Sequence, residues 1–441
     1  MSSAGIVTAL ARTRPRPPAR IIHLGLGAFH RAHQAWYTSN AVDAPEWGIA
    51  AFAGRSAGIV SELEEQDCLY TLIQRSSETD EFEVIESVVE AHLGDDIESF
   101  LDIVRRPEVA VITLTVTEGG YRLGADGQLD LTDPVIRADI DALHAGDSSI
   151  LSSAIARLVA GLRARHRAGA PALAVVSCDN LADNGRLLAA ACLRLAQQLE
   201  SETSWIDEVA SFVSTSVDRI TPRLTAADVS DVAERTGHLD QVPVVTEPFS
   251  DWVLEGEFPS GRPQWETAGA RFVSDIRPWE LRKLWLLNGA HTVLAALGGL
   301  KDIETVDEAL RDRECANALD AWWREARRHL PGDLDLDNYL ESLTSRFENP
   351  RIAHRLSQIA QDAFAKSRIR LVPVALLELR AGRLPSGALT GIAAVLLATG
   401  AGSSELEVRR ALDELNPALG SDGVVGEVSA IIARLRTTSA A

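Results

Sequence analysis

The sequence predicts an α/β chain in which an N-terminal doubly wound sheet is followed by a mostly α-helical C-terminal domain. Short apolar runs alternate with helical patterns along the first half of the chain, as parallel strands and crossover helices do. From Pro278 onward the strand signals disappear and helical patterns follow one another. This change predicts a domain boundary, with residues 1–276 forming the sheet domain and residues 277–441 the helical domain.

The composition is that of a globular protein with an acidic surface. The 441 residues are enough for two domains with substantial cores. The net charge of −20 argues against a nucleic-acid partner, whose binding surface would be basic. No apolar run is long enough to span a membrane or to form the core of a signal peptide. We therefore expect no membrane partner. The four cysteines lack metal-ligand spacing, so we also expect no metal and a reduced, cytoplasmic setting.

A glycine turn follows the first apolar run and opens a helical pattern. The turn reads Gly25-Leu-Gly-Ala-Phe-His30. A strand, a glycine turn and a helix in this order form a dinucleotide-binding turn, where a pyrophosphate meets a helix N-terminus. The third glycine of the usual fingerprint is replaced by His30, and a glycine turn that merely ends a strand is the alternative. The candidate cofactor-binding residues of this turn are Gly25, Gly27, Ala28 and Phe29.

The second predicted strand, residues 47–53, ends in Gly54-Arg-Ser56. In a dinucleotide-binding fold, the residue at this strand end reads the ribose of the cofactor. Arg55 suits a 2′-phosphate better than an Asp or Glu would, so the sequence leaves both NAD and NADP open. An exposed arginine on an ordinary surface turn is an equal alternative.

Polar residues also follow three later predicted strands. Thr117 and Glu118 follow one buried strand, Asn180 follows the next, and Asp218 follows a third. Ligands of doubly wound sheets bind beyond the carboxyl ends of the strands, so Thr117, Glu118 and Asn180 would border one crevice. As alternatives, Asp179 or Asn180 could cap the helix that is predicted to begin near Leu181, and Asp218 could form a structural ion pair with Arg219.

One predicted helix, residues 279–298, combines an amine, an amide and an imidazole. On a regular α-helix, Lys283, Asn288 and His291 would fall within an arc of about 140°. The residues between Lys283 and Asn288 are apolar, so we expect this face to be buried. Burial lowers the pKa of a lysine toward the range of a general base. A structural ion pair is an equal alternative for Lys283.

Several short motifs stand in a fixed order along nearly the whole chain. They are Gly25-Leu-Gly-Ala-Phe-His-Arg-Ala-His-Gln34, Gln66-Asp-Cys-Leu-Tyr-Thr71, Thr115-Val-Thr-Glu-Gly-Gly-Tyr121, Ser177-Cys-Asp-Asn180, Val217-Asp-Arg-Ile-Thr-Pro222, Glu247-Pro-Phe249, Gly261-Arg-Pro263, and Lys283 with Asn288 and His291. Together they resemble the polyol-specific long-chain dehydrogenases of the mannitol dehydrogenase family, which includes fructuronate reductase. The resemblance implies a Rossmann-type N-terminal domain and zinc-independent hydride transfer between a nicotinamide cofactor and a sugar alcohol or keto sugar.

The resemblance also implies a catalytic role for each polar candidate. The roles are Lys283 as general base, Asn180 and Asn288 as amides that hold the alkoxide, His291 as a substrate-orienting residue, Glu280 as the carboxylate that relays the proton to solvent, and Asp218 as a support of the site. These roles fit the chemistry, because a hydroxyl proton must leave as hydride leaves carbon, and the charge on oxygen must meet preorganised donors.

The helical domain departs from the family pattern where the substrate is expected. Many relatives carry Asp-Gly-Ser-x-Lys, whereas this chain reads Asp362-Ala-Phe-Ala-Lys366. The neighbouring His354-Arg-Leu-Ser-Gln358 resembles the fructuronate reductase version. A uronate needs a cationic partner for its carboxylate, although a solvated basic helix face is the alternative. The residues that could supply this partner are His354, Arg355, Lys366 and Arg370.

The leading hypothesis is an NAD(P)-dependent oxidoreductase of the mannitol 2-dehydrogenase type, which interconverts D-mannitol and D-fructose. NAD is the expected cofactor, with NADP left open, and we expect a monomer or a small homo-oligomer. D-fructuronate reductase (D-mannonate oxidoreductase) is the nearest alternative, and mannitol-1-phosphate 5-dehydrogenase is a third. A non-catalytic NAD(P)-binding sensor is the alternative from a different class.

Overall fold

The computed structural model describes residues 8–54, 58–352 and 354–438. The chain divides into two compact units, Met1–Ile276 and Arg277–Ala441. Every strand of the described residues belongs to the first unit, and the described part of the second unit is helical. The strands are β1 (Thr8–Ala9), β2 (Ala19–Leu24), β3 (Gly48–Phe52), β4 (Tyr70–Arg75), β5 (Asp80–Ile85), β6 (Val88–His92), β7 (Val111–Leu114), β8 (Leu173–Ser177), β9 (Ala210–Asp218), β10 (His238–Leu239), β11 (Val244–Thr246), β12 (Asp251–Glu255) and β13 (Arg271–Phe272).

An eight-stranded sheet forms the centre of the first unit, in the order β13-β12-β9-β8-β7-β2-β3-β6. From β6 to β9 the neighbouring strands are parallel. Counted along the chain, these six strands lie in the order 3-2-1-4-5-6, which is that of dinucleotide-binding folds. β12 joins the edge antiparallel to β9. The remaining strands form a three-stranded sheet, β11-β4-β5, and a two-stranded pair, β1-β10.

Both faces of the central sheet are covered, which explains why its strands are continuous apolar runs. The adjacent residues Ile21 and Ile22 of β2 are both fully buried and belong to two different hydrophobic clusters. The cluster of Ile22 includes Phe100 and Ile155, and that of Ile21 includes Tyr37. The helices of this unit are α1 (Ala28–Ala32), α2 (Gln34–Asn40), α3 (Gly58–Glu65), α4 (Ile97–Val104), α5 (Pro134–Ala145), α6 (Ala154–Arg167), α7 (Asn184–Leu199), α8 (Trp205–Val209) and α9 (Ala226–Thr236).

Local sequence determines where several of these helices begin and end. α5 starts after Asp133, whose carboxylate accepts the N–H groups of Val135 and Ile136, and it has proline at its first position. It ends at Gly146, whose φ of +74° suits glycine. The sequence pattern of residues 82–93 predicts one strand, but the structure has two strands of different sheets there, β5 and β6. The helical pattern that follows the glycine turn predicts one helix through about Ala41, but this helix breaks at His33.

The second unit packs its helices around two apolar ones. The helices are α10 (Arg277–Arg282), α11 (Ala290–Gly299), α12 (Val306–Arg311), α13 (Arg313–Arg327), α14 (Leu336–Phe347), α15 (Leu356–Ile359), α16 (Ala363–Arg370), α17 (Val372–Arg380), α18 (Ser386–Ala398), α19 (Glu405–Leu415) and α20 (Asp422–Thr438). α11 and α18 are buried almost throughout and pack against each other and α13. A seven-residue π-helix, Lys283–Gly289, lies between α10 and α11.

Candidate active site

The glycine turn lies where the strand order of the central sheet reverses, between β2 and β7. Gly25 has a φ of +112°, and a Cβ added there would lie 2.2 Å from the carbonyl oxygen of Thr115. The N–H groups of Gly25 and Leu26 both donate to the carbonyl of Phe52, at 2.9 Å. Only glycine fits this position, because the atom that a side chain would meet belongs to the backbone of the adjacent strand end.

The second glycine of the turn has different surroundings. Gly27 is the N-cap of α1, with a φ of −115°. A Cβ there would meet only the carbonyl oxygen of Gly25, at 3.6 Å. Gly27 and Ala28 are exposed, and Phe29 is partly buried with its ring stacked on that of His33. The first N–H groups of a helix lack intrahelical partners, so this end of α1 can receive an anionic group such as a pyrophosphate.

His30, which replaces the third glycine of the fingerprint, belongs to the core beneath the turn. Its ring stacks on that of His23, with ring centroids 3.3 Å apart. The Nδ1 and Nε2 atoms of His23 lie 2.7 and 3.0 Å from the hydroxyls of Thr113 and Thr115. Burial lowers the pKa of His23 to about 3 and holds the pKa of His30 well below its usual value. Both imidazoles are therefore neutral near pH 7 and pack as flat polar rings.

The segment after β7 is held in an unusual backbone conformation. Thr117 has a φ of +69° and a ψ of 162°, a region that residues other than glycine rarely occupy. Its N–H donates to the carboxylate of Asp179 at 2.7 Å, and the hydroxyl of Tyr121 donates to the same carboxylate at 3.0 Å. Glu118 opens a short 3-10 helix and, like Thr117, is exposed. Asp179 thus fixes the exposed backbone of Thr117.

Asp179 and Asn184 fix the backbone beside the candidates Thr117 and Asn180. The Asn184 amide donates to the carbonyls of Asp179 and Thr215 and accepts the N–H of Thr215, each at 2.8 Å. Burial raises the pKa of Asp179, although the N–H of Thr117 counteracts part of this shift. Because α7 begins at Asn184 with Asp183 as its N-cap, the prediction that Asp179 or Asn180 caps this helix was wrong. The sequence signal for Asp179 was its place in the motif Ser177-Cys-Asp-Asn180, whereas no signal indicated Asn184.

The remaining candidates of the first unit occupy the ends of β8 and β9. Asn180 follows β8 and is exposed, whereas Asp218 ends β9 and is 6% exposed. Arg219 does not pair with Asp218 but donates to the carbonyls of Glu247 and Ala32 and to the Gln74 amide oxygen. Since β2, β7, β8 and β9 are parallel neighbours, their carboxyl ends lie along one edge of the sheet, as predicted. Arg55 lies outside the described residues.

In the second unit, the candidate base lies in the π-helix. Lys283 begins this segment and Asn288 lies five residues further on. A π-helix repeats its hydrogen bonds at i→i+5, so residues five apart follow each other on one face. The α-helical arc predicted for these residues was therefore wrong, and the π-helix aligns Lys283 with Asn288 more closely. Full burial was also wrong, since both side chains are partly exposed. Glu280, one α-helical turn before Lys283, is partly buried.

His291 lies about one helical turn after Asn288, in α11, and is 8% exposed. Its ring packs on Phe347 and edge-on to His354, with centroid distances of 4.9 and 4.7 Å. Burial lowers the pKa of His291 well below its usual value, and the nearby His354, Arg346 and Arg370 lower it further. The Nε2 atom of His291 finds no hydrogen-bond partner within the ranges that the structure describes. A neutral imidazole with a buried, unsatisfied nitrogen is suited to a substrate hydroxyl.

The cationic candidates lie on α16 and the segment before α15. Arg370 donates to the carbonyl of Asn288 at 3.2 Å and lies 3.1 Å from the hydroxyl of Thr292. Lys366 donates to the carbonyl of Ile359, at the end of α15, at 3.4 Å. Burial lowers the pKa of His354, as does the charge of Arg346. The structure thus brings Asn288, His291, His354 and Arg370 together.

The described residues contain no group of three or more His, Cys, Asp or Glu side chains arranged to hold a metal ion. All four cysteines are buried and free of disulfides. Among the helices of the described ranges, none is long and apolar enough to cross a membrane.

Two family models match most of this chain. Residues 19–267 match the mannitol dehydrogenase Rossmann domain, and residues 275–409 match the mannitol dehydrogenase C-terminal domain. The chain belongs to the mannitol dehydrogenase family of oxidoreductases. It is 38% identical over 379 residues to the D-mannonate oxidoreductase of Escherichia coli (strain K12), a match that covers 83% of this chain and 77% of the relative. The family assignment and the predicted fold class are confirmed.

Two solved structures are similar over nearly their whole length. D-sorbitol dehydrogenase in substrate-free form has a TM-score of 0.87 and 28% identity, covering 98% of this chain and 99% of that one. The Pseudomonas fluorescens mannitol 2-dehydrogenase ternary complex with NAD and D-mannitol has a TM-score of 0.79 and 30% identity, covering 99% and 96%. Both relatives are dehydrogenases of sugar alcohols by their names.

Proposed function

We propose that the protein is an NAD(P)-dependent oxidoreductase that interconverts a secondary alcohol on a polyhydroxylated chain and the corresponding ketone, with Lys283 as the general base. The observation that carries this proposal is the polar face of the second unit. The π-helix aligns Lys283 with Asn288, and His291 offers a buried nitrogen without a partner among the described residues. An amine, an amide and a neutral imidazole together can remove a hydroxyl proton and hold the resulting alkoxide.

The residues of the glycine turn fit a dinucleotide cofactor. We propose that the backbone of Gly27, Ala28 and Phe29 receives the pyrophosphate, while Gly25 permits the close approach of β2 and β7. Thr117 and Glu118 would border the bound cofactor at the same sheet edge. The nicotinamide, when bound, accepts or donates the hydride. NAD is supported by the similarity to the mannitol 2-dehydrogenase that was solved with NAD, and Arg55 keeps NADP as the alternative.

Each polar residue then has a defined task in alcohol oxidation. Lys283 accepts the hydroxyl proton, and Asn288 of the π-helix and Asn180 at the end of β8 donate to the developing alkoxide. His291 stays neutral at physiological pH because burial opposes its protonation, so it orients a substrate hydroxyl rather than serving as an acid. We propose that Glu280 passes the proton to solvent and that the buried Asp218 supports the site.

The charge around His291 favours an acidic substrate. Arg346 and Arg370 lie close enough to depress the pKa of His291, and Arg370 contacts the backbone of Asn288. A carboxylate on the substrate would interact favourably with these cations. The geometry therefore favours D-fructuronate and D-mannonate, which agrees with the name of the E. coli relative. D-mannitol and D-fructose are the second candidate pair, supported by the solved mannitol 2-dehydrogenase.

A substrate-by-cofactor matrix tests this assignment directly. Purified protein is assayed with D-fructuronate and D-fructose, each with NADH and with NADPH. We expect the highest kcat/KM for D-fructuronate with NADH. Arg370→Met should raise the KM for D-fructuronate by about tenfold or more, because one lost charge-assisted contact is worth about 1.5–3 kcal/mol, and should change the KM for D-fructose much less. Equal effects on both substrates would show that Arg370 only supports Asn288.

The role of the base has its own test. Lys283→Ala should abolish turnover in both directions while NADH binding, followed by fluorescence, stays near that of the wild type. Lys301→Ala is the matched control, because Lys301 lies just beyond the end of α11 in the same unit and pairs there with Asp312 and Glu314. If Lys283→Ala retained most of the wild-type rate, another group would be the base.

A further inference from the structure

We expect tertiary contacts to stabilise the π-helix, because this conformation is rare and poorly stabilised on its own. It runs over seven residues, Lys283–Gly289, and α-helix flanks it on both sides. In an α-helix, the carbonyls of Trp285 and Leu286 would accept the N–H groups of Gly289 and Ala290. In this structure, the N–H of Ala290 donates to the carbonyl of Leu287 instead.

Two tryptophans of α13 supply donors for these two carbonyls. The indole N–H of Trp322 donates to the carbonyl of Trp285 at 2.9 Å, and that of Trp323 donates to the carbonyl of Leu286 at 2.8 Å. Both indoles are buried, at 0% and 9% exposure. A buried indole N–H needs an acceptor, so these neighbouring pairs favour a backbone whose carbonyls are not engaged in the α-helical pattern.

Gly289 makes this approach possible. A Cβ at Gly289 would lie 2.5 Å from the Cζ2 atom of the Trp322 ring, so any larger residue would push the indole away from the carbonyl of Trp285. Trp323 also stacks on Phe347, with centroids 6.1 Å apart, and Phe347 packs on His291. The tryptophan pair therefore contacts both the π-helix and the support of the candidate substrate-orienting histidine.

We propose that Trp322 and Trp323 are positioning residues that hold Lys283–Gly289 in the π conformation and thereby align Lys283 with Asn288. This inference rests on the proposed function for its catalytic consequence. If the segment were α-helical, five residues at 100° each would turn Asn288 about 140° away from Lys283. The amine and the amide would then no longer act on the same oxygen atom of the substrate. The two indole N–H groups are the atoms that prevent this change.

The test removes the indole N–H and keeps the shape of the ring. Replacing Trp322 and Trp323 with 3-benzothienylalanine exchanges each N–H for sulfur. Trp322→Phe and Trp323→Phe are the genetically encoded versions. The same replacements at Trp285 are the matched control, because its buried indole nitrogen has no acceptor within the described residues. For the Trp322 and Trp323 variants, we expect kcat to fall about tenfold or more, equivalent to about 1.4 kcal/mol, with the Kd of NADH within twofold of the wild type.

Crystal structures of the variants separate this inference from the proposed function. We expect the segment to be α-helical in the benzothienyl variants at Trp322 and Trp323 and to remain π-helical in the control. A segment that stays π-helical would overturn the inference, whatever the activity. A segment that becomes α-helical with an unchanged kcat and an unchanged pH profile would overturn the positioning role. A fully active Lys283→Ala enzyme would instead overturn the proposed function, and the backbone result would still stand.

Discussion

The two glycines of the cofactor turn should respond in opposite ways to the same substitution. Gly25→Ala puts a Cβ 2.2 Å from the carbonyl oxygen of Thr115 and forces alanine to a φ of +112°. The strained dihedral costs about 1–3 kcal/mol, and forcing extra atoms into a packed site costs about 1–3 kcal/mol more. We therefore expect Gly25→Ala to destabilise the protein by about 2–6 kcal/mol even without cofactor.

Gly27→Ala is the matched comparison. Its backbone already has a φ of −115°, and the nearest atom to a new Cβ is 3.6 Å away. Replacing glycine at a compatible position stabilises a protein by about 0.4–1 kcal/mol through the unfolded chain. The apo protein should therefore unfold at or slightly above the wild-type temperature. Cofactor affinity should nevertheless fall by about tenfold or more, because the second glycine of such a turn lets the backbone approach the pyrophosphate.

Thermal unfolding with and without NADH, combined with a fluorescence titration of NADH, measures both effects. For Gly25→Ala, we expect a lower melting temperature of the apo protein. For Gly27→Ala, we expect a wild-type melting temperature of the apo protein that NADH no longer raises. A Gly25→Ala protein that melts like the wild type would show that the turn does not have this geometry. A Gly27→Ala protein with wild-type NADH affinity would show that the turn does not hold the pyrophosphate.

Three further outcomes follow from buried charges and rings. Asp179→Asn should lower the unfolding free energy by about 1–3 kcal/mol, because the carboxylate accepts the hydrogen bond from Thr117. Urea unfolding measures this change. Unchanged kcat and KM would argue against a role of Asp179 in the candidate site. Glu378→Gln should lower the unfolding free energy by about 1.5–3 kcal/mol at pH 7, because the carboxylate accepts charge-assisted hydrogen bonds from Arg328 and Arg383. This loss should shrink as pH falls from 4.5 to about 2, since the pKa of Glu378 is lowered to about 2 chiefly by Arg383. His23, whose pKa burial lowers to about 3, stays neutral when folded but takes a proton below pH 6.5 when unfolded. Stability should therefore fall as pH drops from 6.5 toward 3, and His23→Gln should flatten that slope in unfolding measured at each pH.

Much of the first unit could be predicted because both faces of its central sheet are buried. A strand covered on both sides must be apolar at every position, as β8 is, and such runs are visible in the sequence. The strand predicted over residues 82–93 failed because its two parts are separated only by Glu86 and Ser87, without the glycine or proline that usually marks a turn. β5 pairs with β4 rather than with the central sheet. This pairing depends on tertiary contacts, which the local sequence does not determine.

The candidate base was predicted together with its neighbours, but their geometry was not. A π-helix uses the same residue types as an α-helix, so Lys283–Gly289 was predicted as a regular α-helix. The donors that favour the π form, Trp322 and Trp323, lie 37 positions along the chain from the carbonyls that they contact. Tertiary contacts of this separation leave no periodic signal in the segment itself. The alignment of Lys283 with Asn288 therefore became visible only in the structure.

Two candidate residues of the first unit, Thr117 and Asn180, are exposed, yet the backbone beside them is well fixed. Thr117 follows β7, Asn180 follows β8, and the side chains that tie these strand ends together are those of Asp179 and Asn184. Donors that act on a developing charge are effective only when they need not reorganise during the reaction. The hydrogen bond from Thr117 to the buried Asp179 carboxylate limits such reorganisation in the loop after β7, because relaxing the strained backbone of Thr117 would break this bond. The strained conformation therefore supports our proposal that this exposed loop borders the cofactor with a fixed geometry.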